Sequence, residues 1–214
     1  MAQKGLELQS VTIALEGRVL VALSRSVAPG DVLTLMGPSG SGKSSLLAYI
    51  GGFLDPVFSA SGKVMIGGCD LTNLPTEDRH AGILFQDPLL FPHMTVGGNL
   101  AFAIPASIKG REERRNRVEE ALEGVGLAGL AGRDPATLSG GQKARVALAR
   151  VLLSSPRMLL LDEPFSRLDT ELRQQVRELV FAKARDSRLP VVLVTHDEDD
   201  AAAAGGDVVR VGSQ

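Results

Sequence analysis

Three short stretches of this chain hold residue types that can do chemistry. The first is Gly37-Pro38-Ser39-Gly40-Ser41-Gly42-Lys43-Ser44, followed by Ser45. A glycine-rich turn lets backbone N–H groups wrap an anion, and a helix opening behind it adds partial positive charge. The spacing Gly-x4-Gly-Lys-Ser is that of a phosphate-binding loop. Lys43 then reaches the outer phosphates as a mobile point charge, and the Ser44 hydroxyl suits Mg²⁺. The pattern arises by chance in about one chain in a hundred of this length, so its context has to decide. The second stretch is Met158-Leu159-Leu160-Leu161-Asp162-Glu163. Four apolar residues bury a strand and deliver two carboxylates at its C-terminal end, where open α/β sheets place ligands. Asp162 is expected in the Mg²⁺ shell, and Glu163 is expected to polarise an attacking water. An isolated Asp-Glu pair reads more simply as an acidic turn. The third stretch is Leu138-Ser139-Gly140-Gly141-Gln142. Ser139 can open a helix, and two glycines after it allow close approach of a phosphate.

The elements around these stretches fit their chemistry. Asp31 to Met36 is a short apolar run that reads as a buried strand, and Ser44 to Ile50 reads as helix. Strand, glycine-rich turn, helix is the setting a phosphate loop needs. Leu6 to Leu15 and Arg18 to Val27 alternate loosely, as half-buried antiparallel strands do. Lys63 to Ile66 and Ala81 to Phe85 are further short strands. Pro88, Pro92 and Pro105 break the next segment into pieces. Arg111 to Leu122 and Gly140 to Leu153 have helical spacing. Met158 to Leu161 and Val191 to Val194 read as parallel strands, with Glu171 to Arg185 as the crossover helix. The expected fold is therefore α/β with a mostly parallel sheet, an N-terminal antiparallel layer and a helical insertion at about 87–155.

Taken together, the phosphate loop and Leu138 to Gln142 resemble the ATP-binding cassette (ABC) ATPases. The resemblance runs from about Leu6 to about Val211. It implies a P-loop (RecA-like) core, ATP and Mg²⁺ as cofactors, and a homodimer that closes on ATP. Further roles follow from it. Gln86, in Phe85-Gln86-Asp87-Pro88, matches the glutamine that senses Mg²⁺ and the attacking water. Ser139, Gly140, Gly141 and Gln142 match the signature that caps the nucleotide of the opposite protomer. His196, in Val194-Thr195-His196-Asp197, matches the histidine at the γ-phosphate. Ser166-Arg167-Leu168-Asp169 matches the loop where protomers meet. Leu84 to Val96, with Phe91-Pro92-His93-Met94-Thr95-Val96, is similar to the bacterial importer branch that serves iron, sulfate, polyamines and thiamine. The implied partners are an integral membrane permease and a solute-binding protein, and the implied location is the inner face of the cell membrane. An exporter ATPase, and an ABC ATPase acting on the ribosome or DNA, are the alternatives.

Bulk properties limit the options further. The chain has 214 residues, 44% of them hydrophobic and 22% charged, as in one soluble globular domain. With 23 basic and 25 acidic residues there is no basic excess to draw it to nucleic acid. One cysteine, Cys69, cannot form an internal disulfide and fits a reducing cytoplasm. No apolar run approaches the ~20 residues of a membrane span, so any transmembrane path is expected in another chain.

Two positions depart from the family pattern. Relatives usually stack an aromatic ring on adenine where this chain has Leu15, which predicts looser base selectivity. Arg167 stands where a small residue is common. The acidic run Asp197 to Asp200 is explained by a helix start. The Arg/Glu-rich segment 109–117 has two readings, a docking patch for a membrane subunit or anionic lipid and a solvated helix with Glu113–Arg117 and Arg115–Glu119 pairs, of which the solvated helix is favoured. A regulatory C-terminal domain is not expected after Val211.

Overall fold

The computed structural model describes residues 5–212. The chain forms two compact units. Among the described residues the first comprises 5–83, Arg157–Glu163 and 181–212; the second comprises Leu84–Pro156 and Pro164–Val180.

The first unit begins with strands β1 (Leu6–Leu15) and β2 (Arg18–Val27). Glu16 and Gly17 both have positive φ, as a two-residue hairpin turn requires. Strand β4 (Phe58–Ile66) pairs with the other edge of β1, and β5 (Cys69–Asp70) follows it. This four-stranded antiparallel layer has the order β2-β1-β4-β5. Strand β4 is more than twice as long as the expected Lys63 to Ile66. After Phe58 its first half consists of the small residues Ser59-Ala60-Ser61, and Gly62 interrupts it. A Cβ on Gly62 would sit 2.4 Å from the Ser10 carbonyl oxygen. Glycine is therefore needed where β1 bulges, and the break in pattern disguises a continuous strand.

The second sheet has the order β6-β7-β8-β3-β9. Its strands are β6 (Ala81–Leu84), β7 (Met158–Asp162), β8 (Val191–Val194), β3 (Val32–Met36) and β9 (Asp207–Arg210). Strands β3, β7, β8 and β9 are paired in parallel. All of β3 and β8 and the first four residues of β7 are buried. That is why they read as unbroken apolar runs rather than alternating ones. Leu33, Leu35, Leu160, Val192 and Val194 join Leu46 and Ile50 of helix α1 (Lys43–Gly51) and Leu6, Leu8 and Ile13 of β1 in one core. Each such side chain stabilises the fold by roughly 1.5–3 kcal/mol through burial. Register aligns the strand ends: Leu35 and Asp162 both pair with Val194. The residues that follow β3, β7 and β8 therefore leave one edge of the sheet together.

Helix α1 is fixed at its far end by Arg79, which is 5% exposed. Its guanidinium donates to the carbonyls of Tyr49 (2.7 Å), Ile50 (3.1 Å), Thr72 (2.7 Å) and Leu74 (2.9 Å). A cation on the last carbonyls of a helix satisfies orphan acceptors and complements the dipole. Helix α6 (Glu198–Ala204) also belongs to this unit; the acidic run stands at its start, and Asp197 caps it.

The second unit is helical: α2 (Val96–Ala103), α3 (Arg111–Glu123), α4 (Gly140–Leu153) and the first part of α5 (Thr170–Asp186). Helices α2, α3 and α4 pack on one another. Leu100, Leu122 and Leu148 are fully buried. The Glu113–Arg117 pair forms at 3.1 Å along exposed α3. Helix α2 is not announced by its sequence. Its eight residues include Gly97 and Gly98, which lower helix propensity, so packing rather than composition makes it helical. No helix among the described residues is long and apolar enough to cross a membrane.

Candidate functional site

The phosphate loop joins β3 to α1 in the first unit. Gly42 is the N-cap of α1 in a left-handed conformation (φ 87°), and no side chain among the described residues caps the helix. A Cβ at Gly42 would also lie 2.9 Å from Leu20 and Val21, so both conformation and space demand glycine. The first N–H groups of α1 are orphan donors, the arrangement that holds an anion. Lys43 is 7% exposed. Its ammonium donates to the carbonyls of Gly37 (2.8 Å) and Pro38 (2.7 Å), and lies 3.5 Å from Ser41 Oγ. Positive charge is thus fixed inside the loop by backbone acceptors. Pro38, Ser39, Gly40 and Ser41 also form one wall of an open cavity of about 630 Å³ with Arg18 and Leu20 to Leu23.

Ser44 Oγ donates to Asp162 Oδ1 at 3.0 Å, so the two expected metal ligands meet across the sheet edge. Burial is the main influence on Asp162 and pushes its carboxyl above the ordinary range. The Ser44 hydrogen bond opposes this, the Glu163 charge adds to it and Lys43 counters it. A divalent cation reverses that balance. The donors are hard oxygens, one hydroxyl and one carboxylate, as Mg²⁺ prefers when phosphates and water complete its shell. Among the described residues no group of three or more His, Cys, Asp or Glu could hold a metal. The arrangement fits a metal that arrives with its phosphate ligand.

Glu163 follows Asp162 with φ 48°, an unusual conformation for a side chain larger than glycine. Its N–H still bonds to the Val194 carbonyl at 2.9 Å, so the ladder continues while the side chain turns out of strand alternation. Glu163 Oε1 lies 3.2 Å from His196 Nδ1. A carboxylate and an imidazole at this spacing can share a proton and orient water. Backbone strain held at such a point points to function.

Sequence reasoning missed the residues that hold His196. Thr195 is buried, and its Oγ1 donates to Asp200 Oδ2 (3.1 Å) while accepting from the Asp197 N–H (3.1 Å). Asp200 is 2% exposed. Asp197 Oδ1 accepts from the N–H groups of Asp199 and Asp200. Thus His196 projects from a turn locked on both sides. The sequence shows an acidic run but not that one member is buried under a threonine.

Ser139 to Gln142 lie in the second unit and open α4. Ser139 Oγ accepts from the Gln142 N–H (3.3 Å), and Gln142 Oε1 accepts from the Ser139 N–H (3.0 Å). This capping box makes α4 self-capped where α1 is not. Gly140 faces open space apart from Leu168 at 3.8 Å. Gly141 has a packing reason as well, because a Cβ there would collide with Leu172 of α5 at 2.4 Å. Gln86, also in the second unit, is exposed just past β6. The loop after it has three anchors. Arg167 meets Asp87 at 2.9 Å. Arg150 of α4 donates to the carbonyls of Pro88 (3.1 Å) and Leu89 (2.9 Å). Buried Asn99 of α2 accepts from the Phe91 N–H (2.7 Å) and donates to the Phe91 carbonyl (3.1 Å). These anchors act through backbone atoms or across long sequence separations, and nothing local in the sequence announces them.

The family model for ABC transporters matches residues 20–166. The chain belongs to the ABC transporter family. It is similar to the uncharacterised ABC transporter ATP-binding protein YnjD of Escherichia coli K12, with 52% identity over 88% of this chain and 86% of that protein. It is 45% identical, over 87% of its length, to the Fe(3+) ions import ATP-binding protein FbpC of Rhizobium etli. The FbpC of Brucella abortus gives the same values. The chain spans about half the length of these iron-import relatives, 52% in each case. Among solved structures it resembles the dimeric post-hydrolysis state of the ATP-binding cassette MJ0796 bound to ADP and Pi. The TM-score is 0.78 and the identity 30%, covering 96% of this chain and 94% of that one. The ABC cassette is therefore the fold, and ATP hydrolysis is its chemistry. Leu15, at the position where an aromatic residue was expected, is half-buried between its cross-strand neighbours Arg18 and Phe58.

Proposed function

We propose that this cassette binds ATP·Mg²⁺ and hydrolyses it to drive solute import through a separate membrane permease. The observation that carries the reading is the convergence at one sheet edge of an uncapped helix bearing Lys43, the Ser44–Asp162 pair and the Glu163–His196 pair. Gly37 to Ser45 hold the phosphates. Ser44, Asp162 and Gln86 hold the metal, which when bound draws charge from the phosphate oxygens. Glu163 polarises the attacking water, and His196 meets the γ-phosphate. Ser139, Gly140, Gly141 and Gln142 cap the nucleotide of a second copy. In this reading the chain is one cassette with its helical part, about 87–155, inserted. It works at the inner face of the cell membrane with a permease and a solute-binding protein. Relatives named for Fe(3+) import make Fe³⁺ the first cargo to test.

The test uses Glu163→Gln, which should bind ATP·Mg²⁺ but turn over at least about a hundredfold more slowly, trapping a closed dimer. Lys43→Ala should lose both hydrolysis and most ATP affinity. A multi-span membrane protein captured from membrane extract by the ATP-loaded Glu163→Gln dimer supports the transport reading. Capture of ribosomal proteins or DNA factors without a membrane chain overturns it. Normal turnover by Glu163→Gln overturns the role given to Glu163.

A further inference from the structure

Arg167 stands in the loop Ser166 to Asp169, three residues past Pro164. Its Nη1 donates to Asp87 Oδ2 at 2.9 Å, across 80 positions of sequence. Asp87 is the residue next to Gln86. Both side chains are more than half exposed, 58% and 57%. The other two anchors of this loop differ in kind. Arg150 and Asn99 grip backbone groups at positions 88, 89 and 91. Asn99 is fully buried, and burial pulls the Arg150 guanidinium below its ordinary pKa. Those anchors set the path of the loop. The Arg167–Asp87 pair is the one of the three made between two side chains, and it lies nearest Gln86.

What lies beneath the pair gives it leverage. Gln86, Arg167, Gly140 and Leu168 line the same apolar cavity of about 140 Å³ with Phe85 and Ala147. Side chains that line a cavity are not locked by interdigitation as a close-packed core would lock them. A directional bond at the rim then decides how two loops move together. An exposed pair contributes little to global stability, so its effect belongs to positioning and is screened by salt.

We propose that Arg167 is a positioning residue which, through Asp87, couples the Ser166 to Asp169 loop to Gln86. The proposal rests on the role given to Gln86 above. Displacement of the Arg167 loop, as when a second copy meets it, is thereby passed to Gln86. Neither residue belongs to the unit carrying the phosphate loop. The effect therefore falls on kcat and not on ATP affinity.

Two measurements test it. The first needs no activity: backbone ¹⁵N relaxation of the free chain. Arg167→Ala should lower the order parameters of Gln86 and Asp87, and Arg167→Lys should largely retain them. Unchanged values in Arg167→Ala overturn the coupling. The second is steady-state ATP hydrolysis. Arg167→Asp and Asp87→Arg should each lower kcat by about two- to fivefold with KM for ATP unchanged. The double variant with the charges exchanged should restore it. Salt should slow the native chain and the exchanged pair but not the single variants. Failure of the exchange to restore kcat overturns the proposal and points instead to a contact between Arg167 and the second copy. If the native chain does not hydrolyse ATP while the relaxation coupling stands, the hydrolytic reading fails and the structural coupling does not.

Discussion

Asp162 sits under opposing demands. Burial disfavours its charge, so its carboxyl is pushed above the ordinary range, yet its expected task is to be charged beside a cation. A raised folded-state pKa means that the folded chain holds this proton more tightly than the unfolded chain does. The group therefore destabilises the ligand-free protein above that pKa. The cost disappears as pH falls through the raised value toward the ordinary one. Asp162→Asn removes the charge and keeps an oxygen that can accept from Ser44. It should raise the melting temperature of the ligand-free chain by on the order of 1–3 °C and flatten its pH dependence between weakly acid and neutral conditions. It should also abolish the extra stabilisation by ATP that depends on Mg²⁺. A lower melting temperature without ligand would show that the carboxylate is held by more than it costs. Leu15 makes a second prediction at this scale. A base lying on an aliphatic side chain gains apolar contact but no ring stacking, and stacking on an aromatic is worth ~1–3 kcal/mol. GTP should compete with ATP better in the native chain than in Leu15→Tyr. Equal discrimination by the two proteins in nucleotide competition would rule this out.

The parallel sheet places the chemistry because its strands are too buried to shift register. Thr34 is the polar residue of β3: it is fully buried between β8 and β9, and its hydroxyl has no hydrogen-bond partner among the described residues. Such a group costs about 1–3 kcal/mol, and a methyl of the same shape does not. Thr34→Val should therefore raise stability by about 1 kcal/mol, or roughly 2–4 °C in melting temperature, leaving ATP turnover unchanged. No gain in thermal unfolding would mean that the hydroxyl finds a partner in solution, such as a water. The same sheet explains what could be read in advance. Strands β3, β7 and β8 are buried on both faces and appear as apolar runs. The glycine loop, the two carboxylates and His196 follow those runs directly, so their common edge was legible. Strand β4 was read at under half its length because Gly62 accommodates a bulge in its neighbour. Helix α2 was missed because its two glycines conceal a helix made by packing. The left-handed Glu163 and the supports Thr195, Asp200, Arg150 and Asn99 depend on distant partners. Composition cannot name such partners before the chain is folded.

The chain passes between its two compact units at Ile83/Leu84, Pro156/Arg157, Glu163/Pro164 and Val180/Phe181. Three elements given roles in the proposed function and coupling stand within a few residues of these crossings: Gln86 after the first, Asp162 and Glu163 at the third, and Arg167 just beyond it. The phosphate loop lies wholly in one unit and the signature helix wholly in the other. If each signature caps the partner's nucleotide, a complete site takes one unit from each of two copies. This arrangement predicts complementation. Lys43→Ala destroys the phosphate loop and leaves the signature intact. Gly140→Asp places a like charge where the signature meets phosphate and leaves the loop intact. Each variant alone should be inactive. An equal mixture forms mixed dimers in about half of its pairs, and in each of these one of the two sites receives both intact halves. Turnover should then return to about a quarter of the native value, provided one site can fire alone, and should rise with protein concentration as pairing does. No recovery, while mixed dimers are demonstrated by differential tagging, would mean that the two sites must fire together. Full activity of Gly140→Asp alone would mean that α4 does not serve a partner's nucleotide.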